Sequence, residues 1–141
     1  GCAANHPFAG RDAIHVKDLE GRKFVMREQG SGTRALFDRF IKRHSLNIRT
    51  SWEATCPDAF RNAILYNQCL AVISVRLLER DIRSGQIRIF NPHTNELERF
   101  FSLVYHKDKV FTPAMNAVRN IIAHYRQPDW LDNVPVGVLN E

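Results

Sequence analysis

Short apolar runs alternate along the chain with stretches whose apolar residues recur at helical spacing. Phe24-Val25-Met26 reads as a buried strand, closed by Gly30-Ser31-Gly32. Leu36, Phe37, Phe40 and Ile41 then share one helical face, which predicts a helix over 33–44. Residues 47–52 alternate apolar and polar, as a strand does. Cys56 precedes Pro57 and Asp58, the residue types favoured at a helix start, and Ala59, Phe60, Ala63 and Ile64 form the stripe behind them. The run Cys69-Leu70-Ala71-Val72-Ile73 suits a parallel strand covered on both faces. Ser74 can cap a helix over 75–83 that Gly85 ends. Further strands are predicted at 87–90 and 97–105, with a turn over 91–95 between them. Thr112 and Pro113 open a last helix, striped by Met115, Val118, Ile121, Ile122 and Tyr125. Residues 127–141 carry prolines, a glycine and no periodicity, and read as a C-terminal tail.

Strand–helix alternation of this kind implies an α/β fold, a mostly parallel sheet between helical layers. In such sheets ligands bind at the carboxyl ends of strands, beside helix N-termini. Three junctions qualify here: residues 28–34, 53–58 and 74–75. The first combines two glycines, the hydroxyls of Ser31 and Thr33, the guanidinium of Arg34 and a helix start, which together favour a small anion. It is not a phosphate-binding Walker loop, because no Gly-Lys-Ser/Thr follows. Ala35 stands where a dinucleotide loop would want its third glycine or an alanine.

Composition narrows the classes. The 141 residues suffice for one domain. No apolar run approaches the about 18–20 residues that span a bilayer, and the N-terminus lacks the pattern of a signal peptide, so a cytoplasmic location is expected. The net charge of +5 is scattered, which reads as a solvated basic surface rather than a nucleic-acid face. Three cysteines without motif spacing argue against a disulfide framework or a zinc site. No cofactor motif is present. The six histidines are dispersed and none forms a motif with Cys56, so catalysis is not expected.

Taken in order, several stretches resemble the effector-binding domain of LysR-type transcriptional regulators. They are Asn5-His6-Pro7-Phe8-Ala9, Asp18-Leu19-Glu20-Gly21, the run from Phe24 through Gln29-Gly30-Ser31-Gly32-Thr33-Arg34, then Phe101 to Lys109 and Thr112-Pro113-Ala114-Met115. The resemblance covers residues 6 to 125. It implies a type 2 periplasmic-binding-protein-like lobe of three α/β/α layers, residues 1–126 being the second lobe and its C-terminal return. It implies an effector cleft to which Gln29, Ser31, Gly32, Thr33, Arg34, Thr55 and Cys56 contribute, with a small anionic metabolite as ligand. It further implies pairing into a homodimer or homotetramer, and DNA contact only through an N-terminal domain absent from this chain. A periplasmic-type solute-binding protein shares the fold and is the alternative. One departure stands out. The family's Gly-Leu-Gly-Ile-Ala is here Gln68-Cys69-Leu70-Ala71-Val72 with Asn67 before it, so side chains replace glycine hydrogens. They either narrow the cleft or repack the turn.

Overall fold

A computed structural model describes residues 1–126 and 129–141. Its strands are β1 (Cys2–Ala3), β2 (Ala13–His15), β3 (Lys23–Arg27), β4 (Arg49–Ala54), β5 (Leu70–Ala71), β6 (Ile87–Pro92) and β7 (Val136–Asn140). The α-helices are α1 (Gly32–Arg43), α2 (Pro57–Asn67), α3 (Glu79–Arg83) and α4 (Pro113–Ala123). Two units are present: Gly1–Leu97 with Val134–Glu141, and Glu98–Asn133.

The larger unit holds two sheets, ordered β1-β6-β7-β2 and β4-β3-β5. Every pairing is parallel except β1 with β6, as the strand–helix alternation requires. α1 and α2 both pack against β3, the central strand of the three-stranded sheet. Phe37 and Phe40 supply the buried face of α1, and Phe24 from β3 meets Phe37 at 5.1 Å between ring centres. Phe60, Ala63 and Ile64 bury the stripe of α2. β5 is shorter than its apolar run. Leu70 and Ala71 are buried in the ladder, whereas Val72 and Ile73 leave it half-buried. Residues 75–83 divide into a 3-10 turn, Val75–Leu78, and then α3. Ser74 precedes the turn without a side-chain cap, and Gly85 ends the segment in the left-handed region.

Two expectations are corrected. The tail over 127–141 contains β7, which lies between β6 and β2 and pairs with both. Gly137 and Leu139 are its buried positions. A glycine packed under the Phe90 ring supplies one inward position, which breaks the apolar alternation that marks a strand. Gln127 and Pro128 of that expected tail lie outside the described residues. The strand over 97–105 does not form. Leu97 ends a 3-10 turn, and residues 98–105 belong to no ladder. Phe100, Phe101 and Val104 are all more than four-fifths exposed, so the apolar pattern is present without a partner strand.

The smaller unit carries α4. The Thr112 hydroxyl accepts the Met115 N–H, and Pro113 takes the first turn, as expected of that pair. The apolar side chains of α4 and of residues 103–111 line a groove of about 530 Å³.

Candidate functional site

The site grows from the register of the three-stranded sheet. Arg27 of β3 lies beside Ala54 of β4, and Val25 of β3 beside Ala71 of β5. The carboxyl ends of three parallel strands therefore share one edge. Residues 28–34 and 55–58 leave from that edge, and Ser74 follows three residues beyond β5.

Gly30 makes the first turn possible, with φ at +88°, a conformation that costs a side-chain-bearing residue about 1–2 kcal/mol. Ser31 is extended and precedes α1, but its hydroxyl makes no capping bond. The first-turn amides of α1, Gly32 and Arg34 among them, have no helical carbonyl within reach and carry the positive end of the helix dipole. Gln29 and Gly32 are exposed, and Ser31 and Thr33 are half-buried. At the second junction Cys56 precedes α2 without a side-chain cap, Pro57 removes one amide, and Asp58 places a carboxylate in the first turn. Thr55 and Cys56 are both exposed.

Five charged groups at this edge are paired. Arg27 grips Glu28 with two bonds of 2.7 Å, which hold that carboxyl below the usual carboxylate range. Arg34 donates from Nε to both Asp38 oxygens at 2.9 and 3.1 Å. Its Nη1 donates to the Arg27 carbonyl at 3.0 Å and to Glu53 at 3.5 Å. Two arginines thus meet three carboxylates, and the formal charge of these five groups is negative. What this edge offers an anion is oriented amides, not an excess of cationic side chains. Neither Asp38 nor Glu53 was among the expected cleft residues, although Glu53 opens the second junction. The i,i+4 spacing of Arg34 and Asp38 was visible; Glu53 required the β3–β4 register.

The departure from the family pattern lies at the end of α2. Gln68 ends α2 in the left-handed region at φ +51°, the conformation a glycine favours, and its side chain is exposed. Cys69 is fully buried.

A second polar cluster lies away from this edge. His44, which ends α1, and Arg43 both donate to Glu96, with His44 Nε2 at 2.7 Å, and these bonds lower the Glu96 pKa. Among the described residues, Glu141 joins His44 and Glu96 in the group whose ligand-type atoms lie within 4.8 Å of one another.

Residues 1–127 match the family model of the LysR substrate binding domain. The chain belongs to that family. It is 31% identical over 118 residues to the RuBisCO operon transcriptional regulator of Allochromatium vinosum, covering 84% of this chain and 39% of that protein. It is 28% identical over 115 residues to the HTH-type transcriptional regulator CysL of Bacillus subtilis (strain 168), covering 82% and 36%. A solved structure of the Synechocystis PCC6803 CcmR regulatory domain in complex with 2-PG is 31% identical, with a TM-score of 0.47 over 50% of this chain and 34% of that one. The LysR-type chain described here therefore spans less than two fifths of the length of these curated relatives. The periplasmic-binding-protein-like α/β fold follows from the family. No helix among the described residues is long and apolar enough to cross a membrane.

Proposed function

We propose that this chain is the effector-sensing part of a LysR-type transcriptional regulator and that it binds a small anionic metabolite at the carboxyl edge of β3 and β4. Family membership over residues 1–127 carries the reading, because the similar proteins are named as transcriptional regulators. That also favours a regulator over a solute-binding protein. The edge supplies a suitable cradle in the first-turn amides of α1, the hydroxyls of Ser31 and Thr33, and Gln29, Thr55 and Cys56 around them. In the complete regulator an opposing lobe closes this half-cleft, and DNA is bound through a separate N-terminal domain. Effector binding shifts the population of lobe arrangements and so re-poses the DNA-binding domains of a cytoplasmic dimer or tetramer.

The test is thermal. Sulfate, phosphate or a small carboxylate should raise the melting temperature of the full-length protein, and Thr33→Ala should reduce that rise. Equal responses in wild type and variant would remove residues 28–34 from the site.

A further inference from the structure

We propose that Glu53 sets the affinity of this edge, because its carboxylate pairs with Arg34 and an incoming anion must displace it. The inference rests on the anion-binding reading above and deepens it.

Arg34 has two kinds of partner. Asp38 lies one helical turn along α1, and the Arg27 carbonyl closes β3; all three bonds are 3.1 Å or shorter. They hold the guanidinium in place, and its side chain is only 14% exposed. Glu53 is different. It comes from β4, contacts Nη1 at 3.5 Å, and its side chain is half exposed. A long, solvated charge pair contributes little energy, and the Glu53 side chain can swing into water without moving the backbone. Asp38 and the Arg27 carbonyl remain as Arg34's fixed supports, so Glu53 is the partner most easily exchanged for a bound anion.

The position of this contact gives it leverage. Arg34 stands in the first turn of α1, and Glu53 stands two residues before Thr55. The Arg34–Glu53 contact therefore ties the first junction to the second. With Glu53 in place, Arg34 donates toward a carboxylate of the protein. With Glu53 displaced, Nη1 can donate to a ligand oxygen, a charge-assisted bond with defined geometry. Glu53 thus acts as an internal competitor whose strength sets the threshold concentration of effector.

The experiment measures inorganic phosphate and sulfate binding to the full-length protein by calorimetry. Glu53→Gln keeps the size and an acceptor but removes the charge. It should bind both anions about two- to fivefold tighter, the range an exposed ion pair commands. A contact needed only for folding would weaken binding or leave it unchanged, so the sign of the effect is diagnostic. The gain should vanish in an Arg34→Gln background. If it persists there at full size, Glu53 acts by general repulsion and the proposal is overturned. If Thr33→Ala weakens binding but Glu53→Gln does not tighten it, the edge is the site and Glu53 does not tune it. If no form responds to either anion, the anion-binding reading fails, and this inference fails with it.

Discussion

His6 is one of the few buried polar residues, at 8% exposure. Its Nδ1 accepts the Phe8 N–H at 3.1 Å, so the neutral ring with hydrogen on Nε2 is the folded form. Burial first, and the charge of Arg22 second, push its pKa below the ordinary 6.5. The unfolded chain therefore binds the proton more readily, and stability falls as pH drops below about 6.5, levelling off below the folded pKa. Glu96 works in the same direction at lower pH: its depressed pKa gives stability that is present above 4.5 and lost on further acidification. Melting temperature against pH should show both declines. His6→Asn, which keeps an acceptor near Nδ1, should flatten the upper one and leave the lower. At this scale the sequence showed residue types well and pairings poorly. Arg34 was legible as a cation at a helix start, but its direction was not, because Asp38 and Glu53 reach it from a helical turn and from a neighbouring strand.

Helix ends were the most legible elements, since caps are local chemistry. Thr112 with Pro113, and Cys56 with Pro57, mark their helices within a residue. Strands were harder, because a ladder depends on distant partners. The apolar run over 97–105 found none, and β7 was hidden by an inward glycine. That glycine has a measurable role. A Cβ at Gly137 would lie 2.5 Å from the Phe90 ring and 3.2 Å from the Asp12 carbonyl oxygen. Gly137→Ala should cost about 1–3 kcal/mol in denaturant unfolding, the usual range for overpacking. The reverse applies at the end of α2. Gln68 holds a left-handed conformation without being a glycine, so Gln68→Gly should stabilise by about 1 kcal/mol in the same assay. An unchanged midpoint would mean that Gln68 pays no conformational penalty there.

Across the whole molecule, the fold class was legible because parallel pairing follows from strand–helix alternation. The division into two sheets was not. The unit Glu98–Asn133 exposes Phe100, Phe101, Val104, Val110 and Ile121, an apolar surface unusual for a soluble monomer. The 141-residue chain on its own should therefore self-associate. Ile121→Glu together with Val118→Glu should shift its light-scattering mass towards the monomer without altering the melting of the larger unit. A monomeric mass in the unsubstituted chain would show that this surface is tolerated in water.

The placement of the thiols has a practical consequence. Cys2 and Cys69 are buried, and burial raises the pKa of each, whereas Cys56 is exposed at the start of α2. A maleimide dye under native conditions should consequently label one position, without any cysteine having to be engineered. That position lies three residues after Glu53, on the strand edge where an effector would arrive. Emission from a dye there would turn occupancy of the edge into an optical signal, and titration of a metabolite library against it would search for the natural effector directly.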